Sequence, residues 1–137
     1  MKQQATVMVV DDNPINLCLM EAMLSPEGYS VTLFNSGEHC MKSVLKSAPD
    51  IILLDIMMPG LDGFQVLRQL KTEEATRRIP VVMVTSLCEV KDRVTAFDAG
   101  ADDFLSKPIA KSELLARVRS LINEKEYNDQ LIAKHNA

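Results

Sequence analysis

Five short apolar runs alternate along this chain with five longer stretches of helical character. The runs span residues 7–10, 29–34, 50–54, 80–85 and 102–105, and the helical stretches lie near 14–24, 36–46, 64–72, 90–99 and 111–125. Strands that alternate with helices build βαβ units, in which the strands are parallel. The pattern therefore predicts an α/β fold, with one doubly wound sheet of five parallel strands flanked by five helices. The second run alternates more between apolar and polar residues, so we expect it nearer an edge of the sheet.

Length and composition fit a single globular domain. Of the 137 residues, 47% are hydrophobic and 25% are charged, which is unlike a disordered segment. A net charge of −4 offers no basic surface, so we predict no direct contact with nucleic acid. No apolar run approaches the roughly 20 residues of a membrane span, and we predict no membrane contact. The three cysteines form no CxxC pair, which is typical of reduced thiols and predicts a cytoplasmic protein.

Residues that begin and end helices support these boundaries. Asn13, Ser36 and Ser112 are suited to the capping position before a helix, where a side-chain oxygen accepts a backbone N–H bond. Gly28 and Gly100 are suited to the position just past a helix end.

The fifth helical stretch continues without glycine or proline almost to the last residue. We therefore expect an extended C-terminal helix that overruns the domain, and we assign residues 1–124 to the domain and 125–137 to a helical extension or linker. The apolar stripe of this helix is interrupted at Lys125 and Asn128. A coiled-coil stalk and a frayed helical tail both remain open.

Charged and polar residues follow four of the predicted strands. Asp11 and Asp12 end the first strand, Asp55 ends the third, Thr85 ends the fourth, and the fifth runs into Lys107. Each has an ordinary structural explanation when taken alone, as a helix cap, a turn residue or an acid at a helix N-terminus. The carboxyl ends of parallel strands meet at one edge of the sheet, where ligands bind in open α/β folds. Their joint occurrence predicts a functional site.

The charges of this site indicate its chemistry. Three carboxylates and one lysine sum to −2, and each pair of carboxylates about 4 Å apart costs roughly 4 kcal/mol at an effective dielectric near 20. Carboxylate oxygens without Cys or His select Mg²⁺ or a similar ion. With the ion bound, the site can accept a dianionic phosphoryl group. The residues thus predict an aspartyl-phosphate site with Asp55 as nucleophile, Lys107 and Mg²⁺ for charge, and the Thr85 hydroxyl for a phosphoryl oxygen.

Four motifs carry a resemblance to a known family: VVDD at 9–12, LDIMMPGLDG at 54–63, VTS at 84–86 and GADDFLSKP at 100–108. Over roughly residues 5–124 the chain resembles the receiver domain of two-component response regulators. The resemblance implies the flavodoxin-like strand order 2-1-3-4-5 and a cis bond between Lys107 and Pro108. Two segments, DNPIN after the first strand and the sequence of the fifth helix, resemble those of receivers placed before cyclic-di-GMP enzymes or within hybrid kinases. This resemblance implies a downstream output domain.

The resemblance also implies the roles of the site residues. Asp55 would be the phosphoacceptor. Asp12 and Asp55 would hold Mg²⁺ by their side chains and Met57 by its backbone carbonyl, with Asp11 acting largely through water. Lys107 would pair with Asp55 and with the phosphoryl oxygens.

A switch and a slow reset are implied as well. Thr85 would be the hydroxyl drawn towards the phosphate, and Phe104 the aromatic residue that moves with it. The family often has tyrosine at the latter place, so packing alone would have to favour the inward position here. Met57 and Leu87 flank the expected approach of water, and both are bulky and apolar. We therefore predict slow self-dephosphorylation.

The implied partner is a histidine kinase or a phosphotransfer protein. The receiver would not be an enzyme acting on a separate substrate, but would assist its own phosphorylation and dephosphorylation. The output surface would comprise the fourth helix, fifth strand and fifth helix, whose mixed charges suit a homodimer or simply a solvated face. The charged residues assigned to it are Lys91, Asp92, Arg93, Asp102, Asp103, Arg117 and Arg119.

Two other classes of protein share this shape. An aspartyl-phosphate phosphatase would have a DxD motif at the first strand, with the second Asp as acid-base. This chain has Asp11-Asp12-Asn13 there, and Met57 lies two residues after Asp55. A flavin or nucleotide binder needs a loop rich in Gly, Ser and Thr after the first strand, where this chain instead has acids and Pro14.

Overall fold

A computed structural model of the chain describes residues 4–86 and 89–136 and contains one five-stranded sheet flanked by five α-helices. The strands are β1 (Thr6–Val10), β2 (Ser30–Phe34), β3 (Ile51–Leu54), β4 (Val81–Thr85) and β5 (Asp103–Ser106), and the helices are α1 (Pro14–Leu24), α2 (Gly37–Lys46), α3 (Gly63–Thr72), α4 (Val90–Asp98) and α5 (Lys111–Asn136). All neighbouring strands are parallel, in the order β2-β1-β3-β4-β5. The predicted fold and strand order are confirmed, and β2 lies at an edge as expected.

Alternate residues of the central strands enter two separate cores. In β1, Val7 and Val9 pack against α1 and α5, whereas Met8 and Val10 pack on the other face against α2, α3 and α4. The same alternation continues in β3 and β4, whose residues are all buried. Burying one such aliphatic side chain contributes about 1.5–3 kcal/mol, so both layers of helices are held to the sheet. This arrangement explains why near-continuous apolar runs mark the central strands.

Most of the predicted helix ends are confirmed. The Asn13 side chain accepts a hydrogen bond from Ile15 N at 2.9 Å, and Ser36 Oγ accepts one from His39 N at 3.2 Å. Gly28 and Gly100 have φ of 93° and 105°, in the left-handed region that favours glycine after a helix.

Two local features differ from the prediction. Ser112 is not a cap, because Leu114 N donates to Ala110 O at 3.0 Å and α5 begins at Lys111. In addition, a turn of 3-10 helix, Ser25–Glu27, continues α1 before Gly28 and was not predicted.

The last helix continues well beyond the sheet, as predicted. It has 26 residues and its buried stripe ends at Ile122. Beyond that residue, Lys125 Nζ lies 2.7 Å from Asp129 Oδ2, and Tyr127 and Leu131 are exposed. No helix within residues 4–86 and 89–136 is both long enough and apolar enough to cross a membrane.

Candidate functional site

The ends of β1 and β3 bring three carboxylates together. Asp55 N donates to Val10 O at 2.9 Å and Asp11 N donates to Phe34 O at 3.0 Å, so both acids extend the hydrogen-bonding pattern of the sheet by one residue. Oxygen atoms of Asp11, Asp12 and Asp55 all lie within 4.8 Å of one another. Asp11 and Asp55 are buried, whereas Asp12 is exposed. The clustering expected from parallel strand ends is therefore present.

Lys107 joins this cluster from the segment that follows β5. Its Nζ lies 2.7 Å from Asp11 Oδ2 and 3.1 Å from Asp55 Oδ2. Its backbone N donates to Thr85 O at 2.9 Å, which fixes the segment against the end of β4. The bond to Pro108 is cis, as the resemblance implied. One ammonium group thus bridges two carboxylates that are 44 residues apart in the chain, Asp11 and Asp55.

The two buried carboxylates use their oxygens differently. Asp11 Oδ1 accepts a hydrogen bond from Asn13 N at 2.9 Å and its Oδ2 accepts from Lys107, so both oxygens have a strong partner. Asp55 Oδ1 accepts a longer bond, from Met57 N at 3.3 Å. The carboxylate of Asp12 makes no hydrogen bond or ion pair with any residue that the structure describes. Free acceptor capacity therefore lies on Asp12 and on Oδ1 of Asp55.

Burial dominates the electrostatics of Asp55. Desolvation raises the pKa of its carboxyl group, and repulsion from Asp11 acts in the same direction, while the hydrogen bond and attraction from Lys107 oppose both. Burial lowers the pKa of Lys107, but its hydrogen bonds to Asp11 and Asp55 outweigh that effect and the pKa is raised. The site therefore holds its negative charge at a cost that a further cation would relieve.

The donor atoms suit a hard divalent ion. The cluster offers carboxylate oxygens and contains neither Cys nor His, which is the ligand chemistry of Mg²⁺ with water in the remaining positions. Met57 lies two residues after Asp55 in an exposed part of the β3–α3 loop. The residues present therefore fit Mg²⁺.

Thr85 and Phe104 lie on neighbouring strands next to this cluster. Thr85 ends β4 and is fully buried, and Phe104 is paired in register with Met83 of the same strand. Phe104 is only 8% exposed, and the guanidinium carbon of Arg93 lies 5.3 Å from the centroid of its ring. Leu87, to which we assigned a role in dephosphorylation, lies outside the described residues.

Sequence reasoning missed two contacts near the site. Arg93 of α4 covers the Phe104 ring, and Glu38 of α2 contacts the β3–α3 loop at Leu61. Neither residue belongs to a motif, and their contacts span 11 and 23 residues of the chain. An acid in the first turn of a capped helix was the only sequence signal, and it pointed to helix stabilisation.

Comparison with known proteins now identifies the family. The family model described as response regulator receiver domain matches residues 7–119. The chain belongs to this family. Receiver domains are phosphoacceptor signalling domains of two-component systems, which take phosphoryl groups from histidine kinases.

Individual relatives agree with this assignment. Response regulator PleD of Caulobacter vibrioides is 47% identical over 127 residues, which cover 93% of this chain and 28% of that protein. The DNA-binding dual master transcriptional regulator RpaA of Synechocystis sp. is 39% identical over 129 residues, which cover 94% of this chain and 53% of that protein. The chain thus spans less than two thirds of the length of either relative. The comparisons give no support to the phosphatase alternative.

A solved structure provides a direct comparison for the site. The receiver domain of sensor histidine kinase PA1611 from Pseudomonas aeruginosa matches with a TM-score of 0.82 and 34% identity, covering 88% of this chain and 99% of that one. That structure has a magnesium ion coordinated in its active site cleft.

Proposed function

We propose that Asp55 accepts a phosphoryl group from a phosphohistidine on a partner histidine kinase or phosphotransfer protein. The contact of Lys107 with both Asp11 and Asp55, beside an exposed Asp12, carries this proposal. It explains why one buried carboxylate keeps a lightly used oxygen, since a nucleophile needs a free lone pair.

The proposed chemistry follows from the partners of each Asp55 oxygen. Oδ2 is held by Lys107, so Oδ1 attacks phosphorus, and a P–O bond to Asp55 forms while the P–N bond of the phosphohistidine breaks. The electron pair of the broken bond stays on the imidazole nitrogen. Lys107 would balance the charge of the phosphoryl oxygens. The buried hydroxyl of Thr85, the last residue of β4, would donate a hydrogen bond to one of these oxygens. Attack of water on the resulting acyl phosphate then releases phosphate and restores Asp55.

The same residues would hold Mg²⁺, which when bound neutralises charge on the phosphoryl group. We assign direct contacts to Asp12, Asp55 and the backbone carbonyl of Met57. Asp11 acts largely through water, since both of its oxygens already accept hydrogen bonds, from Asn13 and Lys107. The carboxylate of Asp12 is exposed and has no hydrogen-bond or ion-pair partner within residues 4–86 and 89–136, which supports its direct role.

Thr85 and Phe104 form the proposed switch. Movement of the Thr85 hydroxyl towards the phosphoryl group opens space beside Phe104, which lies on the adjacent strand. Arg93 rests on that ring and forms a 3.5 Å contact from Nη2 to Ser106 Oγ, so a shift of Phe104 reaches α4 directly.

The phosphodonor approaches over α1 in this proposal. Ile15 and Leu19 are exposed one helical turn apart, and a largely apolar cavity of about 420 Å³ runs from Asp55 and Lys107 to Leu19 and Ile109. An apolar side chain of the donor would fill it. Leu19→Glu should slow labelling by any phosphorylated phosphotransfer protein that labels the wild type, while labelling by acetyl phosphate stays unchanged; equal slowing of both would contradict this docking site.

A homodimer through α4, β5 and α5 is the proposed output. Val90, Val94 and Phe97 form an exposed apolar stripe along α4. On the same face, Arg117 Nη1 lies 3.3 Å from Asp103 Oδ2.

Two charges that we assigned to this face have neighbours on other elements. Asp102 accepts hydrogen bonds from Lys71 Nζ and Val81 N, and Arg119 lines a cavity with Glu27 and Tyr29 on the side of α1. If beryllofluoride induces dimerisation of the wild type, Phe97→Asp should abolish it, as measured by sedimentation velocity. Leu45→Asp, at an exposed apolar residue of α2, is the control. Dimerisation that survives Phe97→Asp would exclude this face.

The domain boundary at residue 124, the linker role of 125–137 and a downstream output domain are also proposals. The single helix that continues to Asn136 and the greater length of the relatives support them. A cytoplasmic location and the lack of direct nucleic-acid contact stay predictions from the sequence.

The central experiment is labelling with radioactive acetyl phosphate. We expect Mg²⁺-dependent incorporation of phosphate that Asp55→Asn abolishes. Asp98→Asn, which removes an exposed carboxylate from α4, is the matched control and should label like the wild type. Persistent labelling of Asp55→Asn would show that another residue is the acceptor.

A further inference from the structure

We propose that Glu38 is a positioning residue that sets the affinity of the site for Mg²⁺ by holding the β3–α3 loop from α2. The proposal rests on the proposed function, in which Met57 of this loop offers a backbone carbonyl. Glu38 itself touches neither the carboxylate cluster nor the reacting atoms.

The contact between Glu38 and the loop is direct. Glu38 Oε1 accepts a hydrogen bond from Leu61 N at 3.0 Å, across 23 residues of chain. A Cβ placed on Gly60 would lie 3.2 Å from Glu38 Oε2, and Gly60 has a φ of 75°. The loop therefore turns at a glycine where the carboxylate can approach its backbone closely.

The helix that carries Glu38 is itself fixed against the loop. Ser36 caps α2, and Glu38 lies in the first turn, where the helix dipole favours a negative charge. A Cβ on Gly37 would lie 2.8 Å from Leu61 O and 2.6 Å from Val66 Cγ2. The start of α2 is thus in close contact with both the loop and α3, so the carboxylate has a rigid base.

Other hydrogen bonds hold the two ends of the loop, and between them Met58 is buried in the core. At its start Met57 N donates to Asp55, and Gly63 N donates to Ile56 O at 2.9 Å. At its end Asp62 forms a capping box with Gln65. Between these ends, the Glu38 bond ties the backbone of the loop at Leu61 to α2.

This geometry predicts an effect on metal binding. Without the Glu38 bond, residues 57–61 sample more conformations, and binding of Mg²⁺ must order them again. A single hydrogen bond of this kind corresponds to roughly a threefold to tenfold change in an equilibrium constant. Glu38→Ala should therefore raise the dissociation constant for Mg²⁺ by about that factor.

The test compares Glu38→Ala with Glu38→Gln, whose amide oxygen can still accept the Leu61 bond. Mg²⁺ binding to the unphosphorylated chain is followed by NMR titration of backbone amides, and phosphate incorporation from acetyl phosphate is measured against Mg²⁺ concentration. We expect Glu38→Ala to shift both midpoints together and to leave the rate at saturating Mg²⁺ within about twofold of wild type. Glu38→Gln should restore both midpoints.

Glu74→Ala serves as the matched control. It removes an exposed carboxylate that makes no hydrogen bond or ion pair among the described residues, so it should leave the midpoints unchanged. An unchanged Mg²⁺ affinity in Glu38→Ala would overturn the proposal, and failure of Glu38→Gln to rescue would overturn the hydrogen-bond explanation. If the wild type binds Mg²⁺ without incorporating phosphate, the proposed function fails while the NMR titration still decides the role of Glu38.

Discussion

Replacing Lys107 with methionine removes the cation that two buried carboxylates share. The lysine side chain is 19% exposed, and those of Asp11 and Asp55 are 7% and 8% exposed, so solvent screens these charges little. Removing one partner from a buried ion pair typically costs about 3–5 kcal/mol. Repulsion between carboxylates at the 4.8 Å limit of their separation is about 3.5 kcal/mol at an effective dielectric near 20, which agrees in size. We therefore expect Lys107→Met to lower the free energy of unfolding by about 3–5 kcal/mol at neutral pH without Mg²⁺.

The pH dependence of this loss has a definite sign. Burial raises the pKa of Asp55 in the folded state. Protonated Asp55 can be buried without loss of stability, whereas stability falls as pH rises through the raised pKa and the carboxyl group becomes charged. Loss of Lys107 removes the main influence that lowers the pKa, so the pKa of Asp55 rises further. The difference between mutant and wild type should then shrink as pH falls below the raised pKa.

Urea unfolding with and without Mg²⁺ is the assay. Mg²⁺ should stabilise Lys107→Met more than the wild type, by about 1–2 kcal/mol or more, because the ion replaces the missing positive charge. Lys71→Met is the matched control, since Lys71 is 16% exposed and lies 3.0 Å from Asp102, away from the site. It should be destabilised with no extra response to Mg²⁺. An equal Mg²⁺ increment in Lys107→Met and wild type would refute the electrostatic explanation.

Three further predictions concern single positions. Gly63→Ala should lower stability by about 1–3 kcal/mol in urea unfolding and slow labelling by acetyl phosphate, since its Cβ would lie 2.2 Å from Asp55 O; wild-type behaviour would contradict this. Burial raises the pKa of Cys40 to about 12, so thiol alkylation of the native protein at pH 8 should leave Cys40 unmodified while exposed Cys18 reacts. Peptide mapping would measure this, and early modification of Cys40 would count against the described core. Leu87→Asn should shorten the lifetime of the phosphorylated state if bulky residues hinder water, and an unchanged lifetime would exclude that role.

Much of the site could be predicted because it depends on strand ends. Apolar runs fix which strands are central, and parallel strands place Asp11 and Asp55 at the same edge whatever the loops do. Lys107 follows the same rule from β5. The separation of residues in the chain does not matter for groups positioned in this way, so motifs were sufficient.

Contacts set by side-chain direction were predicted less well. Arg117 and Arg119 are two residues apart on α5 and so point in nearly opposite directions, which the helical period alone could have shown. The bonds from Lys71 to Asp102 and from Glu38 to Leu61 span 31 and 23 residues and join elements whose relative packing no local pattern specifies. The cap predicted at Ser112 was wrong because the backbone of Ala110 already accepts the first helical bond.

The length of α5 gives small rotations a large effect. At about 1.5 Å per residue its 26 residues extend roughly 39 Å, and its first turns follow directly on the segment that carries Lys107. A tilt of only about 5° at that base would move the far end by roughly 3 Å, given the same helical rise. Whatever is attached to or packed against the end of this helix would therefore receive an amplified copy of a movement too small to notice at the sheet.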